Sequence, residues 1–383
     1  MTIAELHSNE TLRREEFPVA REKVFLGHAG VCPLPRRVAE AVSHYGFNCT
    51  LGDQETLLPL HKLQQMRELA GKLINAQAEE IAFVGPTTLG LSYVANGLPL
   101  RKGDNILIYH DDYPSNVYPW MALAQKGVQV RFLNIRELGR IRKIDVEGQV
   151  DESTRLVALA SCHFLSGWRI DVPAIGEFLR QRDILFCVDG IQTLGALPTP
   201  VEFVDFLAAD AHKWVLGPCA AGILYVRKSL QERLRPPVYG ASNVRCPNYV
   251  SQEEIVLRQD SRRYEPGTQN WLGLMGLHAA MELLLQIGLE EIAGELSRKR
   301  EWVVPALLAK DYLVLNANAA SGAASGIITF HHRRSDMAIL HQRLEQAGVV
   351  TSLRSDRQGT RYIRLSPHFY NTDAELQRAL ELL

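Results

Sequence analysis

The chain has 383 residues, 46% hydrophobic and 22% charged, so it can bury a large core and is long enough for two lobes. Lys and Arg number 42 against 43 Asp and Glu, and a formal charge of −1 gives no overall field to attract nucleic acid or an anionic membrane. No apolar run reaches the roughly 18 residues of a membrane span. The polar start, Met1 to Arg21, lacks a secretory apolar stretch, so a cytoplasmic protein with no membrane and no nucleic-acid partner is expected.

In chain order, residues 81–84 form a strand-like run, followed by Gly85-Pro86-Thr87-Thr88-Leu89-Gly90 opening a helix. Short apolar runs at 106–109, 128–133, 156–161, 184–188 and 206–209 read as strands, with helices over 118–125 and 172–182 between them. Asp171 and Pro173 make a good start for the second helix. The alternation predicts a mostly parallel sheet covered by helices on both faces. Beyond 283 the texture changes. One long amphipathic helix is expected over 284–310, then strands at 312–315, 325–331, 349–353 and 361–366, with helices at 335–347 and from Asp373. This divides the chain into a large domain, 22–283, and a smaller α/β domain made of 1–21 and 284–383.

The six cysteines stand at 32, 49, 162, 187, 219 and 246, none at C-x-x-C spacing, which argues against a zinc or thioredoxin-like centre. Cys162 and Cys187 lie in apolar runs and read as small buried hydrophobes. No metal ligand set is proposed.

The most informative stretch runs from 184 to 227. A buried strand ends in Asp189, and a second ends just before Asp210-Ala211-His212-Lys213. Ligands of open α/β sheets sit at the carboxyl ends of strands, so a carboxylate and a lysine can meet in one crevice. Pyridoxal 5′-phosphate needs this pairing. A lysine amine forms an imine and later moves protons at the substrate Cα, and a carboxylate keeps the pyridine nitrogen protonated. Singly, such an Asp caps a turn and such a Lys is solvated. The combined context, Asp-Gly-x-Gln … Asp-Ala-His-Lys-Trp … Gly-Pro, is more specific.

Here the sequence resembles the class V aminotransferase family of fold-type I pyridoxal-phosphate enzymes, which includes cysteine desulfurases, C–S lyases, kynureninases and isopenicillin N epimerase-like proteins. The resemblance runs from Phe25-Leu26 to Tyr370-Asn371-Thr372. It implies Lys213 as the Schiff-base lysine, Asp189 under the pyridine nitrogen and Gln192 on the ring hydroxyl oxygen. It implies Thr87, Thr88 and His212 as phosphate ligands, and Gly267-Thr268 as a turn reaching the phosphate of the other subunit of a homodimer. Asp210 stands where desulfurases have a Ser, and a carboxylate is a poor phosphate partner. Tyr113, in Asp111-Asp112-Tyr113-Pro114, resembles the Phe-Pro of kynureninases and is the expected ring-stacking group, with His110 as a substitute.

For an amino-acid substrate, Arg364 in Arg364-Leu365-Ser366-Pro367-His368-Phe369-Tyr370-Asn371-Thr372 resembles the family's α-carboxylate clamp, whose planar fork suits two oxygens. His28 and Ala29 resemble its N-terminal substrate loop. Arg354, Arg357 and Arg361, near the clamp, hint at a second acidic group on the substrate. Desulfurases carry a persulfide-forming Cys on the loop corresponding to 350–360, and here that loop has none. The expected function is therefore a desulfurase-like, β-eliminating C–S lyase without the persulfide cysteine. Alternatives are a class V aminotransferase, an amino-acid epimerase or, more remotely, a non-catalytic scaffold of the same fold.

Overall fold

A computed structural model describes residues 1–57 and 60–383. Its strands are β1 (Val24–Phe25), β2 (Ile81–Val84), β3 (Asn105–Ile108), β4 (Gln129–Phe132), β5 (Thr154–Ala160), β6 (Leu185–Asp189), β7 (Phe206–Ala209), β8 (Gly222–Val226), β9 (Leu313–Val314), β10 (Ile328–His331), β11 (Val349–Val350), β12 (Ser352–Ser355) and β13 (Arg361–Leu365). The large sheet runs β2-β8-β7-β6-β5-β3-β4. β3 through β7 pair in parallel, and β8 alone runs against its neighbours.

The central strands are continuous apolar runs because both faces are covered. Alternate side chains go to opposite sides. Leu107, Val157, Leu159, Phe186, Val188 and Leu207 enter the larger core cluster. Ile106, Ile108, Leu156, Ala158, Leu185, Cys187, Phe206 and Ala208 enter the one on the other face. Cys162 and Cys187 are fully buried, as their apolar settings predict. β3 leads to β4 on one side, and the chain then crosses to β5 on the other. That reversal leaves a crevice beside the carboxyl ends of β3 and β5.

The expected helix over 284–310 is instead two helices, Trp271–Ile287 and Leu289–Leu308, which meet at Gly288. Gly288 has φ +96°, a left-handed conformation that glycine adopts without strain. The expected strand at 349–353 is likewise divided, β11 pairing in parallel with β1 and β12 in antiparallel with β13. The second lobe is the antiparallel sheet β12-β13-β10-β9 with its own core. That core takes in Val24 and Leu26 from the N-terminal segment, whereas Leu6 and Phe17 join the larger cluster. The packing thus divides the chain differently from cuts at 22 and 283, because β1 leaves the N-terminal helices to pair with β11. Among the described residues no single helix is long and apolar enough to cross a membrane.

Candidate active site

Asp189 is the last residue of β6, level with Ala160 of β5 and Ala208 of β7. It is buried, and Oδ1 accepts the Ile191 N–H at 3.0 Å. Ser161 anchors its main chain from the side, donating N–H and Oγ–H to the Asp189 carbonyl at 2.9 and 3.0 Å. Burial and then the nearby Asp112 carboxylate push the Asp189 carboxyl above its ordinary range. Lys213 follows β7 and is also buried, and burial holds its amine below the ordinary lysine range, against an opposing pull from Asp189. Each charge is felt by the other, yet no salt bridge joins them. The Lys213 Nζ lies 5.2 Å from the centre of the Tyr113 ring, which is partly exposed and packs edge-on against Phe164 at 5.5 Å.

The Tyr113 loop is held by Asp112, which the sequence reading passed over. Its buried carboxylate accepts from the Tyr113 N–H, the Asn116 amide and the Ala160 N–H at 2.7, 3.0 and 3.2 Å. Gln192 is set between two walls of the site. Its oxygen accepts the Trp214 indole N–H at 2.8 Å, and its amide donates to the Ala29 carbonyl at 3.1 Å. One amide proton of Gln192 is left for a ligand.

Thr87 and Thr88 open the helix Thr87–Gly97, whose first turn has no side-chain cap. Uncapped N–H groups at a helix start suit a phosphate. The Thr87 hydroxyl accepts the Asp210 N–H at 3.0 Å, and Thr88 donates to Ser115 at 2.8 Å. Asp210 has a structural task that the sequence did not reveal. Its carboxylate accepts the N–H groups of Ala211, Ala220 and Ala221 at 2.8, 3.1 and 3.0 Å, and the Nδ1–H of His212 at 2.6 Å. Nδ1 of His212 is thereby fixed as the donor, and Nε2 has no partner among the described residues. Asp210 thus orients the His212 ring.

A cavity of about 120 Å³ is lined by Ala29, Gly30, Val31, Tyr113, Phe164, Gln192, His212, Lys213, Arg354 and Arg364. Arg364, on β13, is almost fully buried. It donates through Nη1 to the Phe164 carbonyl at 2.5 Å and more weakly through Nη2 to Ser352 at 3.4 Å, and its Nε is buried without a partner among the described residues. Burial, and then Arg354, push the guanidinium down to about 9. A buried cation with an unused N–H is well suited to an anionic ligand.

Several expected residues lie elsewhere. His28 is adjacent to Ala29 in sequence, but its ring turns away from the cavity. Nδ1–H donates to the Ser366 carbonyl and Nε2 accepts the Tyr370 hydroxyl, both at 2.9 Å, and burial lowers its pKa to about 4. His28 therefore braces its own loop as a neutral group. Gly267 and Thr268 do not reach the cavity of their own chain, and Thr268 is exposed and donates to Glu55 at 3.2 Å. His110 packs on Phe132 at 4.4 Å, away from the lysine. Arg357 is bound to the Asp111 carboxylate and the His110 carbonyl, and Arg361 faces Asp336 at 3.6 Å.

A larger cavity, about 580 Å³, lies between residues 141–143, 168–173 and 320–323. None of the expected site residues lines it. Its cations are already engaged, Arg142 by Asp145, Lys143 by Glu147 and Arg169 by the Pro198 carbonyl. The candidate residues Lys213, Gln192, His212, Tyr113 and Arg364 gather at the smaller cavity.

The donor set fits pyridoxal phosphate. Among the described residues the buried Asp189 carboxylate, its pKa raised, has no ion-pair partner, and a protonated pyridine nitrogen would supply one. A buried lysine with a lowered pKa is a better nucleophile for an imine. Bound there, the cofactor would act as an electron sink for the substrate Cα.

The profile of the aminotransferase class-V family matches residues 24–379. A protein named "Probable cysteine desulfurase" from Methanothermobacter thermautotrophicus is 30% identical over 97% of this chain and 96% of its own length. The apo cysteine desulfurase of Thermococcus onnurineus NA1 superposes with a TM-score of 0.87 at 24% identity, covering 96% of each chain. The cystine C–S lyase C-DES, solved with its product cysteine persulfide, superposes with a TM-score of 0.83 at 23% identity over 95% of this chain and 98% of that one. Fold and site together define a pyridoxal-phosphate-dependent enzyme of fold type I. Within that class, the chain belongs to the aminotransferase class-V family.

Proposed function

We propose that this enzyme is a lyase that cleaves a carbon–sulfur bond of an amino acid by β-elimination and does not pass the sulfur through a cysteine of its own. The carrying observation is the hairpin of β12 and β13. Its strands pair as far as Ser355 and Arg361, so only 356–360 remain as a turn, and neither the turn nor the cavity lining contains a cysteine. Cys32 is the cysteine whose main chain touches the site, through its N–H to the His212 carbonyl at 2.8 Å. Its buried thiol is pushed up to about 12, so almost none of the reactive thiolate exists at neutral pH.

In this reading Arg364 holds the α-carboxylate and Lys213 removes the Cα proton. The electron pair left at Cα forms the Cα–Cβ double bond as the Cβ–S bond breaks, and the sulfur leaves with that bond's electrons. Water then converts the carbon skeleton to pyruvate and ammonia. The names of the desulfurase and C–S lyase relatives support sulfur chemistry at this site. The test is product analysis with cysteine and cystine on wild type and Cys32→Ala. Pyruvate, ammonia and a small sulfur product are expected from both proteins, with no persulfide on the enzyme by mass spectrometry. Alanine as the main product, with a persulfide on any cysteine, restores the desulfurase reading. A 2-oxo acid that keeps its β-substituent indicates an aminotransferase, and loss of chirality alone indicates an epimerase.

We also propose a homodimer in which Thr268 serves the partner's cofactor phosphate. Phe47, Leu51, Tyr249 and Ile255 are large apolar side chains exposed on this chain, from 67% to 84%. A subunit interface over them would remove that apolar area from water. Sedimentation should give a dimer, and a monomer with full cofactor occupancy overturns the assignment.

A further inference from the structure

We propose that Arg354 is a specificity residue, selecting amino acids whose side chain ends in a second acidic group. β12 and β13 pair Ser352 with Arg364 and Arg354 with Tyr362. Alternation along a strand then puts Ser352, Arg354 and Arg364 on one face, while Leu353 and Ile363 face the lobe's core. Arg354 and Arg364 are diagonal neighbours, close enough for long side chains to converge. They do converge. A Cβ built on Gly30 would lie 3.8 Å from Nη2 of Arg364 and 3.9 Å from Nη2 of Arg354.

The cavity lining therefore contains three cations, Lys213, Arg354 and Arg364, and no carboxylate. Lys213 is taken by the cofactor and Arg364 by the α-carboxylate. Arg354 makes no side-chain hydrogen bond or ion pair among the described residues. Its two companions in the sequence do, Arg357 with Asp111 and Arg361 with Asp336. Arg364 is buried and fixed by Phe164, whereas Arg354 sits two pairs closer to the hairpin turn and is exposed. It therefore meets the part of a substrate that extends outward, beyond Cβ. Two guanidiniums beside one point repel until anions separate them, which favours a ligand with two acidic groups over one.

The inference rests on the proposed α-amino-acid substrate and deepens that reading. Its test uses the holoenzyme and two thioethers with the same Cβ–S bond, S-carboxymethyl-L-cysteine and S-methyl-L-cysteine. Their dissociation constants are read from the change in the cofactor's visible band. A charge-assisted hydrogen bond should make the carboxymethyl compound bind about tenfold tighter or more. Arg354→Gln should bring that ratio close to one, and Arg354→Lys should restore part of it. A wild-type ratio near one, or the same ratio in Arg354→Gln, overturns the proposal. The first outcome would mean that both arginines serve the α-carboxylate, and the second that a group other than Arg354 reads the distal acid. A band that responds to both amino acids without pyruvate formation removes the lyase reading and leaves the Arg354 ratio readable. A band that responds to neither overturns both.

Discussion

Lys213→Ala is expected to lower turnover by about 10⁴-fold or more, because one side chain supplies both the imine nitrogen and the base at Cα. The protein should still fold. The Lys213 Nζ has no hydrogen-bond or ion-pair partner among the described residues, so its loss orphans no buried group. Burial already disfavours its charge, and removing a buried amine relieves a desolvation cost. Circular dichroism and thermal melting of the cofactor-free proteins should therefore match. Borohydride treatment of the wild type should leave a pyridoxyl mass on Lys213 and none on the variant. The same mass on Lys228 or any other lysine would overturn the assignment, as would a variant that keeps turnover without added amine.

What the sequence shows and hides follows the physics of each element. The parallel strands are legible because burial on both faces makes each a continuous apolar run ended by a turn residue, as in the run to Asp189-Gly190. The helix Trp271–Ile287 is not, because burial makes it apolar nearly all round and removes the amphipathic period. Its junction at Gly288 is a backbone signal that a long helical pattern overrides. Asp189 and Lys213 stand out because one closes β6 and the other follows the end of β7, where the fold must present them. Asp112, Phe164 and Asp210 do not, since their tasks arise only in three dimensions. Asp210 acts on amides at 220 and 221, and Phe164 offers a carbonyl to an arginine on the other lobe. His28 illustrates the reverse error. Neighbours on a loop point in different directions, so adjacency to Ala29 does not place its ring in the cavity. The three arginines near the clamp look alike in sequence, and only their partners separate Arg354 from Arg357 and Arg361.

Asp189→Asn should separate stability from catalysis. In the cofactor-free protein the buried carboxyl has a folded pKa above its unfolded value, first through burial and then through Asp112. Ionisation therefore favours the unfolded chain. The resulting penalty is absent below the unfolded pKa of roughly 3.9 and grows as pH rises toward the folded pKa. Asn removes the titrating group, and its side-chain oxygen can still accept the Ile191 N–H, now at 3.0 Å from Oδ1. The bonds from Ser161 go to the main chain and are unaffected. The cofactor-free variant should therefore be as stable as the wild type near pH 4 and at least as stable at pH 7, which urea unfolding at the two pH values checks. Catalysis should respond in the opposite direction. Without a carboxylate the pyridine nitrogen loses the charge that holds its proton, and the electron sink weakens. By analogy with losing one preorganised electrostatic contact, kcat should fall by about 10²- to 10³-fold. KM should change little, since Arg364 still binds the substrate carboxylate. The cofactor should remain attached to Lys213, as a borohydride-fixed pyridoxyl mass would show. Near-normal kcat in a variant that keeps this mass would remove Asp189 from the ring nitrogen and require another group, Asp112 first, to take its place.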